Sequence, residues 1–279
     1  MKEPFVRRRI AEPIKTETDI QIGLREIVQH IHGRGTPQLP GLDIGRSYLG
    51  TAADFIYGGD LVDVFHHASG CTSLAVVDIT GHGIHAAMYA GLVKHALRAY
   101  FSQGGTALQT VQAINHLCIE NSAFEGEEDL FATLFFGVID SDRRTITYVS
   151  AGHHTAYLIA PFKVTALGAC GPIIGLLDDK LEFSSKRITV SAGDTLAIVT
   201  DGFTEARNEE GIFLGSKALA DVILADPHRN AQMTAEAIIR RAYDYTQHDN
   251  HDDVAALVVK IVSTEPAHMS NNGRVIPLR

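Results

Sequence analysis

Short apolar runs bounded by glycine and aspartate alternate along the chain with longer segments in which apolar residues recur at helical spacing. The short runs are rich in β-branched residues and predict strands, whereas apolar residues three or four positions apart predict amphipathic helices. Strands in runs, with helices in pairs, favour an α+β sandwich over regular βαβ alternation. The predicted strands cover residues 72–79, 130–140, 145–150, 155–159, 195–200 and 254–262, and the predicted helices cover residues 84–101, 106–124, 216–225 and 231–247.

The same pattern divides the chain into three segments. Residues 1–40 form a lead with one predicted amphipathic helix, residues 41–262 contain the predicted strands and form the main domain, and residues 263–279 form a polar tail. The apolar stripe of the lead helix requires a cover, which its own domain, a second copy or a regulatory protein would provide. Its apolar positions are Ile20, Leu24, Ile27, Val28 and Ile31.

Composition excludes several classes of protein. Of the 279 residues 45% are hydrophobic, which excludes disorder as the main state. With 24 Lys and Arg against 33 Asp and Glu, the net charge of −9 argues against nucleic-acid binding, which depends on neutralising phosphates. No apolar run reaches the roughly 18 residues of a membrane span, and no signal-peptide pattern follows the N-terminus. The three cysteines, an odd number without a CxxC pair, favour a reducing cytoplasm.

Aspartates stand repeatedly at the ends of apolar strands. Asp60 follows two glycines, Asp78 ends the run 74–77, Asp201 ends the run 196–200, and Asp252 and Asp253 precede the run 254–259. A single aspartate beside a glycine is commonly a turn former. Several partly desolvated carboxylates repel one another unless a divalent cation neutralises them, and hard cations prefer oxygen ligands. The pattern therefore favours a metal site, and two ions in such a site would activate water for attack on phosphorus.

The segments around these aspartates resemble the motifs of one family in their order. Residues 58–63 are similar to a GGDxxD signature, residues 78–87 to DxxGHGxxAA, residues 200–206 to TDGxxEA, residues 252–254 to the closing DDxT, residues 150–154 to an AGH hairpin and residues 171–176 to a GPxxGL segment. Together they resemble the SpoIIE-like branch of the PPM-type metal-dependent protein serine/threonine phosphatases. The resemblance extends from about Leu24 to Ile261.

The resemblance implies a four-layer α-β-β-α sandwich, with two antiparallel sheets flanked by helix pairs. It also implies two Mn²⁺ or Mg²⁺ ions, with Asp60 bridging both and Asp60, Asp78, Asp201 and Asp252 as the catalytic residues. The implied metal ligands are Asp60, Asp78, the Ile79 carbonyl, Asp201 and Asp252, with Asp253 as the competitor of Asp252. The helix pair after Gly83 is implied to switch the metal site between inactive and active geometries.

The chain departs from the family pattern at a few positions, and some residues keep two interpretations. Leu61 and Val62 replace an aromatic pair, and Ala255 replaces a threonine, but no implied ligand is lost. His82 is either a proton donor or, as we prefer, a structural residue. Asp63 and Glu205 are either supporting groups of the site or surface residues. Zinc is disfavoured because the adjacent pairs His66-His67 and His153-His154 would point to opposite faces of a strand, and because no cysteine lies near His82 and His85.

The resemblance implies a cytoplasmic phosphatase that hydrolyses phosphoserine or phosphothreonine on a regulatory protein, with an anti-sigma-factor antagonist as the candidate substrate. Metal-activated water would attack phosphorus in line, and no covalent enzyme intermediate would form. One alternative is a non-catalytic phosphoprotein-binding module of the same fold, which the intact acidic positions disfavour. A phosphoaspartyl-intermediate phosphatase is a weaker alternative, since residues 78–80 (DIT) lack the second aspartate of its DxDx[TV] motif.

Overall fold

The computed structural model describes residues 35–50, 58–81, 83–125, 131–176, 182–249 and 252–264. The predicted helix of the lead segment, His82 and residues 265–279 of the predicted tail lie outside these ranges, so the proposed domain boundaries stay predictions. In the described part of the chain, no helix combines the length and apolar content that crossing a bilayer requires. The three cysteines, Cys71, Cys118 and Cys170, carry free thiols.

Ten strands and five helices make up the described fold. The strands are β1 (Leu42–Leu49), β2 (Leu61–His66), β3 (Thr72–Ile79), β4 (Ala132–Ile139), β5 (Thr145–Ala151), β6 (Ala156–Ala160), β7 (Lys163–Leu167), β8 (Lys186–Thr189), β9 (Thr195–Val199) and β10 (Val254–Ile261). The helices are α1 (Gly83–Ser102), α2 (Ala107–Glu125), α3 (Asp201–Thr204), α4 (Lys217–Ala225) and α5 (Ala231–Tyr245).

The strands form two five-stranded sheets in which every neighbouring pair is antiparallel. The first sheet has the order β1-β10-β9-β6-β7, and the second has the order β2-β3-β4-β5-β8. A turn at residues 140–143 joins β4 and β5 as an antiparallel hairpin, in which Arg143 N–H donates to the Asp140 carbonyl at 2.8 Å. The prediction of two antiparallel sheets in an α+β fold is therefore confirmed.

Three apolar clusters separate the layers. One cluster joins the two sheets and includes Leu74 and Phe135 of the second sheet with Leu257 of the first. Another packs α1 and α2 on the second sheet, and a third packs α4 and α5 on the first. Alternate residues of the central strands serve different clusters, as the period of two along a strand requires. The layers thus follow the expected α-β-β-α order.

The four helices and six strands predicted for the main domain are present, with boundary shifts of at most two residues. The sequence pattern did not predict β1, β2, β7, β8 or the single turn α3. The strands β7 and β8 are short and mostly exposed, so they lack the apolar run on which the strand predictions depended. One face of α2 packs on the second sheet, where Val111, Ile114 and Cys118 are buried.

Candidate functional site

Asp60 is the most deeply buried acidic group at the end of the sandwich where β2 begins and β9 ends. The residue is 3% exposed, and the Thr200 hydroxyl donates a hydrogen bond of 2.6 Å to its Oδ2. Burial raises the pKa of the Asp60 carboxyl well above its usual range, and the negative charge of Asp78 raises it further. An ionised carboxylate in this position is unfavourable unless a cation neutralises its charge.

Two glycines before Asp60 allow an unusually close approach of other groups. A Cβ atom at Gly58 would lie 1.3 Å from Oδ2 of Asp253, and one at Gly59 would lie 2.3 Å from the Ile79 carbonyl oxygen. Both positions therefore require glycine, whose missing side chain leaves this space to oxygen atoms. The loop brings the Ile79 carbonyl and the Asp253 carboxylate against the backbone that carries Asp60.

Tyr48, at the end of β1, supports the same loop. Its hydroxyl oxygen accepts the Gly58 N–H at 3.0 Å. Burial raises the pKa of the Tyr48 hydroxyl, and the negative charge of Asp253 adds to this shift. Tyr48 therefore stays a neutral phenol that fixes the backbone of the glycine pair.

Asp78 lies one residue before the end of β3, in register with Thr133 of β4. Burial raises the pKa of its carboxyl to about 7, and the charges of Asp201, Asp252 and Asp253 contribute in that order. The negative groups around Asp78 therefore come from segments that are far apart in sequence. Asp78 faces the same acidic centre as Asp60.

Asp201 begins the one-turn helix α3, which directly follows β9. Burial raises the pKa of the Asp201 carboxyl, and the charge of Asp252 raises it further, whereas His154 opposes the shift. One ligand atom each of His154, Asp201 and Glu205 lie within 4.8 Å of one another. Glu205 is exposed at its position after α3, and His154 is half-buried in the loop between β5 and β6.

The structure separates the environments of Asp252 and Asp253. Asp253 is 9% exposed, and its carboxylate faces Gly58 and raises the pKa of Asp60. Asp252 is exposed, accepts the Asp253 N–H at 2.8 Å, and raises the pKa of Asp201. Both carboxylates therefore adjoin the acidic centre, one on its buried side and the other on its open side.

The donor groups fit hard divalent cations. The neighbouring charges that raise the pKa values of Asp60, Asp78 and Asp201 all belong to carboxylates. A set of converging carboxylates with an adjacent carbonyl oxygen suits Mg²⁺ or Mn²⁺, which prefer oxygen ligands. The structure thus brings together every aspartate that the sequence analysis singled out for this site, together with the Ile79 carbonyl.

Two histidines that follow β5 have different environments. His153 is 3% exposed, and its Nδ1 lies 2.7 Å from the Thr133 hydroxyl. Burial lowers the pKa of His153 to about 3, so its ring is neutral at physiological pH and serves as a structural link to β4. His154, in contrast, points its ring toward Asp201 and Glu205.

Sequence reasoning missed several supporting residues and left Asp63 undecided. Tyr48 carried no signal in the sequence. Thr200 and His154 lay within quoted motifs, but their roles could not be assigned because their partners are distant in sequence. Asp63 is not a surface residue: it is 3% exposed, and Arg98 of α1 donates two hydrogen bonds to its carboxylate, at 2.7 Å and 2.6 Å. The carboxylate thus joins β2 to α1.

The chain is similar to several known proteins over much of its length. The chain is 26% identical to the phosphoserine phosphatase RsbU of Bacillus subtilis over 257 residues, covering 91% of this chain and 72% of RsbU. It is 25% identical to the protein IcfG of Synechocystis sp. over 192 residues, covering 60% of this chain but only 30% of IcfG. The crystal structure of the RsbU and RsbW domains of Rv1364c from Mycobacterium tuberculosis is 25% identical, with a TM-score of 0.66, and the match covers 80% of this chain and 61% of that one.

A family model covers most of the strands and the described aspartates after β2. The model described as Stage II sporulation protein E (SpoIIE) matches residues 68–262, and this match extends over more than half of the 279 residues. The sequence motifs, the two antiparallel sheets and the convergence of the aspartates agree with this match. The chain therefore belongs to the SpoIIE family.

Proposed function

We propose that this protein is a metal-dependent phosphatase that hydrolyses phosphoserine or phosphothreonine on a regulatory protein. The observation that carries the proposal is the convergence of Asp60, Asp78, Asp201 and the Asp252-Asp253 pair from four separate segments. Membership of the SpoIIE family and similarity to a protein named phosphoserine phosphatase support it.

The residues that would hold two Mn²⁺ or Mg²⁺ ions follow from the donor set. They are Asp60, Asp78, the Ile79 carbonyl, Asp201 and Asp252, with Asp253 as the alternative to Asp252. Such ions, when bound, neutralise the carboxylates and activate water for in-line displacement at phosphorus. Mg²⁺ and Mn²⁺ both accept this oxygen-rich set, so either ion suits the proposal.

The protein's own groups hold this set in place. Thr200 donates to Asp60, and the Tyr48 hydroxyl fixes the Gly58 backbone. The glycine pair leaves space in which carboxylate and carbonyl oxygens approach closely. These contacts orient the oxygen donors before any ion arrives, which limits the reorganisation that binding requires.

For the substrate we propose a phosphorylated protein of a regulatory circuit, with an anti-sigma-factor antagonist as the first candidate. Support comes from the relative named RsbU and from the Mycobacterium tuberculosis chain, whose solved structure joins an RsbU domain to an RsbW domain. The predicted lead helix, residues 18–31, would offer a regulatory protein or a second copy an apolar stripe. We also propose a cytoplasmic location, which the three free thiols support.

Mn²⁺-dependent release of phosphate from an aryl phosphate and from phosphoserine proteins tests the proposal. We expect turnover by the unmodified chain and loss of at least about a hundredfold in Asp60→Asn and Asp201→Asn, because each loses a charged oxygen donor. The measurement pairs turnover with Mn²⁺ affinity determined by calorimetry. Absence of turnover with retained phosphoprotein binding would instead identify a binding module. Full activity of Asp201→Asn would refute the assigned site.

A further inference from the structure

Three donor groups of mixed chemistry meet at the open edge of the acidic centre. One ligand atom each of His154, Asp201 and Glu205 lie within 4.8 Å of one another. The histidine comes from the loop between β5 and β6. The two carboxylates belong to the first residue of α3 and to the residue directly after α3. A nitrogen donor distinguishes this set from the carboxylate and carbonyl donors around Asp60.

The local backbone explains why the two carboxylates share one side of α3. Glu205 N–H donates to the Asp201 carbonyl at 2.7 Å, so these residues stand one helical turn apart. Side chains four residues apart lie on the same face of a helix. Asp201 and Glu205 are therefore presented together toward the β5–β6 loop.

Thr204 orients the imidazole ring of His154. The Thr204 hydroxyl donates to the Asp201 carbonyl oxygen at 3.2 Å, and the same hydroxyl oxygen lies 3.1 Å from His154 Nδ1. With its one proton directed to the carbonyl, the hydroxyl can accept from Nδ1–H in the tautomer that carries its proton there. That tautomer leaves Nε2 to bind a metal, as in histidines whose other ring nitrogen is held by a hydrogen bond.

We propose that His154, Asp201 and Glu205 form a binding site for a transition-metal ion of the Zn²⁺ type. An imidazole with two carboxylates suits such an ion, and three protein ligands leave a position open for a water or a phosphate oxygen. Because Asp201 also belongs to the proposed hard-cation set, Zn²⁺ bound at this site competes with the binding of Mn²⁺ or Mg²⁺. This inhibitory consequence rests on the proposed function, whereas the binding itself does not.

Calorimetric titration of the full chain with Zn²⁺, without added Mg²⁺ because Mg²⁺ would compete for Asp201, tests the site. Loss of a hydrogen bond to a metal-binding histidine already costs about 10- to 100-fold in affinity, so loss of the ligand itself in His154→Asn is expected to cost at least about tenfold. Glu205→Gln is expected to weaken Zn²⁺ binding in the same direction. His116→Ala, at an exposed position of α2, is the matched control and should bind Zn²⁺ as the unmodified chain does.

A second readout follows the histidine itself. Zn²⁺ should shift the ¹⁵N resonance of His154 Nε2, and this shift should be absent in His154→Asn. Equal Zn²⁺ affinity in His154→Asn and the unmodified chain would overturn the inference, and so would an unmodified chain that binds no Zn²⁺. Either result leaves the phosphatase proposal intact, because that proposal is tested by Mn²⁺-dependent turnover. A chain without turnover would leave the Zn²⁺ titration equally informative.

Discussion

Thr200 donates a hydrogen bond of 2.6 Å to Asp60, although 140 residues separate them in sequence. The same hydroxyl oxygen accepts the Ala255 N–H at 2.9 Å. Asp60 precedes a strand of the second sheet, whereas Thr200 and Ala255 belong to the first sheet and its continuation. One hydroxyl therefore ties the two sheets together at the candidate site and orients its most buried carboxylate.

Replacing Thr200 by valine removes this link with little change in side-chain volume. We expect Thr200→Val to lower the free energy of unfolding by about 1–3 kcal/mol, since the buried Ala255 N–H loses its side-chain acceptor. Mn²⁺ affinity should fall as well, because Asp60 is no longer held. Urea denaturation and calorimetry measure the two effects. Thr200→Ser, which keeps the hydroxyl, is the control, and unchanged Mn²⁺ affinity in Thr200→Val would contradict the assigned role.

The close approach at Gly58 gives a second prediction. A methyl group there would lie 1.3 Å from Oδ2 of Asp253, so Gly58→Ala must displace this carboxylate or the loop. We expect loss of most Mn²⁺ affinity and of turnover in that variant. Gly168→Ala is the matched control, because a Cβ atom at Gly168 meets no heavy atom within 4 Å. Comparable losses in both variants would show that the effect is not specific to Gly58.

Sequence periodicity predicted the central strands well because their neighbours bury both faces. The strands β3, β4 and β10 read as continuous apolar runs for that reason. The strand β2 escaped prediction since Asp63 interrupts its apolar run, and nothing local indicates that the carboxylate is buried. Its partner Arg98 lies 35 residues away on α1, and only the fold brings the two together.

The pairing of Asp63 with α1 yields a third prediction. Arg98→Met leaves the buried carboxylate with Lys94 Nζ at 3.6 Å and with the positive charge of Arg46, but without its two hydrogen bonds from Arg98. We expect a loss of about 2–3 kcal/mol in the free energy of unfolding, at the lower end for a broken buried pair because the Arg98 side chain is 39% exposed. The double variant Asp63→Leu with Arg98→Met should recover part of this loss. Thermal and urea unfolding measure the stability of both variants. If the double variant is as unstable as Arg98→Met alone, the assigned pairing of Asp63 with Arg98 is wrong.

The aspartates of the site could be predicted from sequence because each stands at the end of an apolar strand, and three of the four positions have glycine alongside or close by. Their supporting groups could not, since Thr200 and Tyr48 look like ordinary strand residues until the sheets assemble. The sequence also could not decide whether Asp252 or Asp253 is the metal ligand, because a shift of one residue moves a side chain to the other face of a strand. Histidine spacing excluded chelation by adjacent pairs but gave no sign that His154 meets Asp201.

The buried thiol of Cys118 gives a fourth prediction. Burial raises its pKa to about 12, so the thiolate that reacts with alkylating reagents is scarce at neutral pH. We expect Cys118 to resist iodoacetamide in the folded protein and to react fully in urea. Mass spectrometry of digested samples locates the modified cysteine. Rapid modification of Cys118 in the native protein would mean that α2 separates readily from the second sheet.

Repulsion among the carboxylates leads to the last prediction, on Asp78. Its pKa of about 7 reflects burial and the charges of Asp201, Asp252 and Asp253, so its ionised form opposes folding when no cation is bound. Asp78→Asn keeps the shape of the side chain and removes that charge. In the presence of a chelator, we expect this variant to be more stable than the unmodified chain by about 1–2 kcal/mol.

Excess Mn²⁺ should make the unmodified chain the more stable of the two, because an ion bound only by the folded state stabilises it more when it binds more tightly. The unmodified chain would then gain more stability than Asp78→Asn, which has lost a charged ligand. Urea denaturation with and without Mn²⁺ measures both arms on the same samples. A variant that is less stable than the unmodified chain under both conditions would mean that Asp78 is retained for folding. If Asp78→Asn is more stable than the unmodified chain only when the chelator is present, the Asp78 carboxylate destabilises the cation-free fold and serves cation binding.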